Sequence, residues 1–280
     1  MTGQDQTPRS SGIVGGRNLP AAIAVGLVLA AVFLATLFWH PVAFGLVVAV
    51  LVAIAYLESE RVLRVVGVQV LVPVLIASSL AMLAGAYYAG PAGQAAGATL
   101  LLLGAMTWLL VDPRRRDVVP TLGATMLLGL WVGFLASYAI LLAVRPSGAV
   151  IVLAVIGSAA LTDIGGYAIG VPFGRHKVVP AVSPNKSWEG LAGGLLIATL
   201  LAAVVLPLIG DTFTPVSAAV LAGTCGVASF LGDVIQSMIK RDLGVKDLGD
   251  FLPGHGGILD RVDGILLALP VGYYVVVVFG

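Results

Sequence analysis

Long apolar segments separated by short polar ones run through almost the whole chain. A bilayer core about 30 Å thick requires roughly 20 apolar helical residues to cross it, and most of the segments approach this length. Stretches such as ATLLLLGAMTWLLV are apolar on both faces, which excludes the alternating strands of a membrane β-barrel. The pattern predicts an all-α polytopic membrane protein with nine transmembrane helices, at residues 20–39, 41–57, 66–89, 94–111, 119–143, 149–170, 190–210, 215–239 and 262–279.

The composition agrees with a membrane protein. Of the 280 residues, 59% are apolar and 10% are charged, whereas soluble domains have roughly 45–50% and about 25%. With a mean hydropathy of +1.06, the chain has too little polar surface for a soluble globule. Soluble, disordered, disulfide-stabilised and nucleic-acid-binding proteins are therefore excluded. The single cysteine, Cys225, lies in an apolar segment and excludes a cluster of thiolate metal ligands.

The positions of Lys and Arg predict how the helices are oriented. With nine helices, every Lys and Arg except Arg145 lies on the same side of the membrane. Because positive residues accumulate in cytoplasmic loops, the N-terminus is predicted to face the cytoplasm and the C-terminus the outside. The loops assigned to the cytoplasm lie near residues 58–65, 112–118, 172–189 and 240–261.

Polarity divides the chain into three parts. Residues 1–18 are polar and are predicted to form a disordered cytoplasmic tail. The apolar segment after them is too long for a signal peptide and is interpreted as the first helix. Residues 19–148 carry almost no ionisable groups in their helices, which predicts a scaffold or dimerisation region. Residues 149–280 carry many, and are predicted to form the catalytic region, with its site at the cytoplasmic side.

Carboxylates lie at the cytoplasmic ends of four predicted helices in the second half. A charged group in the membrane costs about 2.5–3.5 kcal/mol on insertion scales and marks a functional site by default. A structural ion pair or a helix-end residue that reaches water would explain any one of them alone. Their concentration beside basic loops favours a shared polar site. The residues are Asp163, Glu189, Asp233, Asp260 and Asp263.

Helical spacing groups these acids further. At about 100° per residue, Asp233, Ser237 and Lys240 lie along one stripe of a helix. Asp260 and Asp263 are three residues apart and share a face. If the last two helices meet, Asp233 and Asp260 converge on a cation. Hard oxygen ligands without His or Cys favour Mg²⁺, although proton relays without a metal use similar acids.

The segment between these helices, RDLGVKDLGDFLPGHGGILDR, is rich in glycine and in basic residues. Its glycines allow backbone amides to approach an anion closely, and its cations suit phosphate oxygens. This combination is typical of a site for polyphosphate and metal, where catalysis is mostly positioning and charge neutralisation. His255 fits a phosphate donor, an acid/base or a local structural hydrogen bond equally well. The cations are Lys240, Arg241, Lys246 and Arg261.

Two stretches of the second half match a known pattern. Residues 237–263 read SMIKRDLGVKDLGDFLPGHGGILDRVD, and residues 162–190 read TDIGGYAIGVPFGRHKVVPAVSPNKSWEG. The first resembles the signature of the phosphatidate cytidylyltransferases, or CDP-diacylglycerol synthases. The second is similar to that family's Asp–Gly–Tyr stretch and its Ser-Pro-x-Lys-Ser/Thr-Trp-Glu-Gly element. The resemblance covers about residues 155–280, and Gly264 stands where relatives often have Ser.

This resemblance implies a nucleotidyltransferase of phospholipid biosynthesis, which transfers CMP from CTP to phosphatidic acid and releases pyrophosphate and CDP-diacylglycerol. It also implies dependence on Mg²⁺, a second, monovalent cation such as K⁺, and a homodimer. The implied location is the inner (plasma) membrane, with the active site facing the cytoplasm. In this location cytosolic CTP meets a lipid phosphate at the level of the headgroups.

The resemblance also implies roles for individual residues. Asp233 and Asp260 would hold the metal centre, with Asp163 and Asp263 in support. Ser237, Asn185 and His255 would orient the phosphates. The residues implied to bind phosphate are Lys186, Lys240, Arg241, Lys246 and Arg261. Trp188 fits either a stacking partner for cytosine or an aromatic anchor at the membrane interface.

Two other classes of membrane protein fit less well. A secondary transporter would have polar residues near the midplane and in both halves, often with repeat symmetry. Here they lie towards one face and in one half of the chain. A CDP-alcohol phosphotransferase would carry its Asp-Gly-x-x-Ala-Arg…Gly…Asp…Asp pattern, which is missing from this sequence.

Overall fold

The computed structural model describes residues 19–113, 117–249 and 256–279, and this part of the chain is mostly helical. Among these residues, seven helices are long and apolar enough to cross a membrane, and Gly26–Trp39 is a shorter apolar stretch of the first helix. The predicted all-α polytopic membrane fold is confirmed. The elements are α1 (Leu19–Trp39), α2 (Pro41–Val65), α3 (Val72–Val111), α4 (Val118–Leu128), a π-helical turn (Gly129–Phe134), α5 (Leu135–Ala143), α6 (Gly148–Phe173), β1 (Lys177–Val179), β2 (Ser183–Ser187), α7 (Trp188–Ile209), α8 (Pro215–Asp242) and α9 (Leu259–Phe279).

Helix α3 is 40 residues long and is interrupted at Gly90, whose φ of 60° and ψ of −144° are not helical. A Cβ atom on Gly85 would overlap the carbonyl of Gly93, and one on Gly97 would overlap the backbone of Met82. The two parts of α3 therefore fold back on each other as an antiparallel hairpin. This agrees with the prediction of two separate helices at residues 66–89 and 94–111. The total of nine membrane crossings stays a prediction.

Three segments assigned to loops are more regular than predicted. Helix α2 continues to Val65, so residues 58–65 form its last turns. Helix α8 continues to Asp242 and includes Lys240 and Arg241. Strands β1 and β2 form an antiparallel hairpin before α7. Hydropathy shows where a helix becomes polar but not where it ends, because basic residues are compatible with the last turn of a helix.

Close contacts between glycines hold the helices of the second half together. Between α6 and α7, a Cβ on Gly190 would lie 2.8 Å from the carbonyl oxygen of Gly166. Between α8 and α9, a Cβ on Gly232 would lie 2.6 Å from the carbonyl oxygen of Asp263. Small residues allow helix backbones to approach in this way inside a membrane. The second crossing places the polar ends of α8 and α9 beside each other.

Replacement of Gly264 by alanine is expected to lower stability. A Cβ there would overlap the hydroxyl of Ser229 and lie 2.9 Å from the Ser229 carbonyl oxygen. Overpacking of this kind costs about 1–3 kcal/mol, so the Tm in detergent should fall by several degrees. Gly157→Ala is the control, because nothing lies within 4 Å of a Cβ at that position. An unchanged Tm for Gly264→Ala would show that α8 and α9 do not cross here.

Candidate active site

Asp260, at the start of α9, connects α9 with α8 and with the segment between these two helices. Its side chain is 3% exposed. Oδ1 accepts hydrogen bonds from Lys240 Nζ and Gln236 Nε2, both at 2.9 Å. Oδ2 accepts the backbone N–H groups of Leu248 at 2.8 Å and Gly257 at 3.3 Å. Both oxygens are therefore engaged, and Asp260 holds these three segments in one arrangement.

Asp233, on α8, has a different cation as its partner. Lys186 Nζ lies 2.6 Å from Asp233 Oδ2, and Ser237 Oγ donates a hydrogen bond to Oδ1 at 3.3 Å. The ammonium group also lies 4.3 Å from the centre of the Phe230 ring, a cation–π contact. Lys186 belongs to β2, so the unpredicted hairpin brings this cation to α8.

The carboxylates of Asp163, Asp233 and Asp263 lie close enough to interact through their charges. The ammonium group of Lys186 acts on Asp163 and that of Lys240 on Asp263, which offsets part of the repulsion. Among residues 19–113, 117–249 and 256–279, no three His, Cys, Asp or Glu side chains are arranged to hold a metal ion. The predicted ligand set of Asp163, Asp233 and Asp260 therefore stays a prediction.

The remaining candidate phosphate-binding residues that the structure describes are exposed. Arg241 is exposed and donates a hydrogen bond to the Val182 carbonyl at 3.4 Å, which connects α8 to the hairpin. Trp188, the first residue of α7, is 56% exposed. His255 lies outside the described residues. The other exposed candidates are Asn185, Lys246 and Arg261.

Glu189 has a structural partner rather than a place beside the other acids. Its Oε1 lies 2.6 Å from His176 Nδ1, and its Oε2 accepts the backbone N–H of Arg175 at 3.1 Å. These contacts join the start of α7 to the residues before β1. Glu189, one of the five acids grouped from the sequence, therefore connects the two ends of the β1–β2 hairpin.

Two site residues were not predicted from the sequence. Gln236 is fully buried and bonded to Asp260. Its position between Asp233 and Lys240 on the same helix was a signal that could have identified it. Glu58 is 3% exposed and its Oε2 accepts the backbone N–H of Ile258 at 2.8 Å. An acid at the end of an apolar helix was the signal there, but residue 58 was assigned to a loop.

Comparison with known proteins identifies the family of the chain. Residues 20–279 match the Cytidylyltransferase family. The chain belongs to the cytidylyltransferase family. A phosphatidate cytidylyltransferase of Mycobacterium leprae is 38% identical over 93% of this chain and 86% of the relative. One from Mycobacterium tuberculosis is 36% identical over 94% of this chain and 84% of the relative.

A third phosphatidate cytidylyltransferase, from Thermotoga maritima, is 35% identical over 63% of this chain and 67% of the relative. The resemblance found in the sequence is thus confirmed, and this cytidylyltransferase is a nucleotidyltransferase. The family match also includes the first half of the chain, which the signature stretches did not cover.

Proposed function

We propose that this cytidylyltransferase transfers CMP from CTP to phosphatidic acid, forming CDP-diacylglycerol and pyrophosphate. The names of its relatives support both substrates. The observation that carries the proposal is the pair of lysine–aspartate contacts, Lys186–Asp233 and Lys240–Asp260, at the polar ends of α8 and α9. Two anionic substrates require fixed cations of this kind.

The site is proposed to face the cytoplasm. Its residues lie towards the C-terminal ends of α6 and α8 and at the starts of α7 and α9. In an alternating bundle these ends are on the same side, which is the side that carries nearly all the Lys and Arg residues. CTP is cytosolic, so this orientation gives it direct access. The placement in the inner membrane and the homodimer are proposed on the family resemblance.

The reaction requires little acid–base chemistry from the protein. An oxygen of the lipid phosphate attacks the α-phosphorus of CTP, the bond to the β-phosphate breaks, and pyrophosphate leaves with that electron pair. The lipid phosphate is already an anion, so the difficulty is charge repulsion between the substrates. Lys186 and Lys240 are held by their aspartates and can reduce that repulsion, and their partial burial strengthens the effect.

Mg²⁺ is proposed on the donor chemistry of the site, since no three of the described acidic side chains form a ready-made ligand set. Asp163, Asp233 and Asp263 supply hard carboxylate oxygens whose mutual repulsion a cation would relieve. Asp260 already accepts hydrogen bonds at both oxygens, which favours a positioning role over direct ligation. Mg²⁺ would supply charge neutralisation on the phosphates. A second, monovalent cation such as K⁺ stays a prediction.

Removal of divalent metal is expected to abolish turnover. Pyrophosphate release that depends on phosphatidic acid should stop in excess EDTA and return with added Mg²⁺, because uncompensated phosphate charges oppose the attack. Gel filtration in EDTA is the control for loss of folded protein. Full turnover in EDTA would instead favour catalysis without a metal.

The function itself is tested with purified protein, labelled CTP and phosphatidic acid in detergent. We expect labelled CDP-diacylglycerol and an equal amount of pyrophosphate. The proposal would be overturned if folded protein, supplied with Mg²⁺, formed neither product.

A further inference from the structure

Glu58 connects the first half of the chain to the segment that contains the family signature. It lies in α2 and is 3% exposed, and its Oε2 accepts the backbone N–H of Ile258 at 2.8 Å. Ile258 directly precedes α9. A carboxylate at this position stabilises the start of a helix through the helix dipole as well as through the hydrogen bond.

The backbone around Glu58 fits its carboxyl group closely. A Cβ atom on Gly249 would overlap the Glu58 carboxyl carbon. A Cβ on Gly257 would lie 2.9 Å from Glu58 Oε2 and 3.0 Å from Asp260 Oδ2. Because glycine has no Cβ, the main chain can lie against Glu58 at both positions and against Asp260 at Gly257.

Glu58 and Asp260 hold the same two stretches of backbone. Asp260 accepts the N–H groups of Leu248 and Gly257, while Glu58 contacts the neighbouring residues, Gly249 and Ile258. The two acids therefore act side by side, one from each half of the chain. Asp260 in turn forms an ion pair with Lys240.

We propose that Glu58 is a positioning residue of the active site, which fixes the backbone around Asp260 and thereby the Lys240 ammonium group that meets the nucleotide phosphates. Glu58 acts through this backbone and does not touch the substrates. The first half of the chain thus takes part in nucleotide binding. This inference rests on the proposed cytidylyl transfer, which supplies its assay.

The test measures KM for CTP, kcat and Tm for Glu58→Gln and Glu58→Ala in the full chain. Glu58→Ala removes a charged acceptor, so KM for CTP should rise roughly tenfold or more. Glu58→Gln has the same shape and keeps one acceptor oxygen, so its KM should lie between those of Glu58→Ala and the wild type. The matched control is Glu60→Gln, since Glu60 lies on the same helix and pairs with Arg64; its kinetics should not change.

Gly249→Ala adds a test of the contact itself. In the wild-type background the new methyl group displaces the Glu58 carboxylate, so KM for CTP should rise. Combined with Glu58→Ala the methyl group has room, and the double variant should be no worse than Glu58→Ala alone. If the increase in KM of the double variant equals the product of the increases in the two single variants, Gly249 and Glu58 do not act together.

The outcomes separate this inference from the proposed function. If Glu58→Gln and Glu58→Ala lower Tm but keep the wild-type KM for CTP, Glu58 is only structural and the inference is wrong. If the wild-type protein forms no CDP-diacylglycerol, the proposed function fails first.

Discussion

Replacement of Asp260 by asparagine should lower kcat/KM for CDP-diacylglycerol formation by roughly two to three orders of magnitude, because Lys240 loses the carboxylate that positions its charge. Loss of one partner of a buried ion pair should also cost about 3–5 kcal/mol of stability. One carboxylate oxygen accepts hydrogen bonds from the side chains of Lys240 and Gln236. The other accepts them from the backbone N–H groups of Leu248 and Gly257. An asparagine amide can serve only one of these pairs and presents N–H donors to the other. Both activity and Tm should therefore fall.

The matched control for this variant is Asp242→Asn. Asp242 is an exposed aspartate at the C-terminal end of α8, two residues after Lys240. Its replacement should leave kcat/KM and Tm near the wild-type values. Turnover of Asp260→Asn within a few-fold of wild type would contradict the role given to Asp260 as the connection between α8, α9 and the segment between them.

Asp233→Asn is expected to lower turnover by roughly two orders of magnitude or more, with little change in Tm. The substitution removes the carboxylate that holds Lys186 at 2.6 Å. It also reduces the repulsion among Asp163, Asp233 and Asp263, which offsets the lost Lys186 contact, so stability should change little. The Mg²⁺ concentration for half-maximal activity should rise, since one hard oxygen ligand is lost.

Titration of turnover with Mg²⁺ measures this effect. Asp211→Asn is the control, because Asp211 is exposed and lies beyond the opposite end of α7. A variant at Asp233 with the wild-type Mg²⁺ dependence would remove this residue from the proposed metal centre. A large loss of Tm would instead assign it a structural role.

The helical part of the fold could be predicted because the relevant interactions are local. A helix in lipid satisfies its own backbone hydrogen bonds, so a sufficiently long apolar segment is enough to predict one. The interruption of α3 at Gly90 was also visible, since Pro91 and neighbouring glycines separate two apolar segments. The β1–β2 hairpin was missed because its strands are only three and five residues long and show no alternation of apolar and polar residues.

The aspartates of the site could be predicted, but Glu58 and the partners of the aspartates could not. Spacing along α8 placed Asp233, Ser237 and Lys240 on one stripe, and the Ser237–Asp233 hydrogen bond agrees with it. Lys240, however, bonds to Asp260 on α9, and Asp233 pairs with Lys186 on β2. Which lysine pairs with which aspartate depends on how α8 packs against α9 and the hairpin. The spacing of residues within one helix gives no information about that packing.

By itself, the sequence determined that this protein is a polytopic helical membrane protein, because the length of each apolar segment and the cost of each buried charge can be judged residue by residue. That the catalytic region lies in the second half stays a prediction. The signature stretches also identified the family. Only the tertiary structure decided which cation each aspartate holds and that Glu58 reaches Ile258, 200 positions along the chain. Such contacts arise where close glycine crossings bring distant segments together, and that proximity is a property of packing rather than of any one segment.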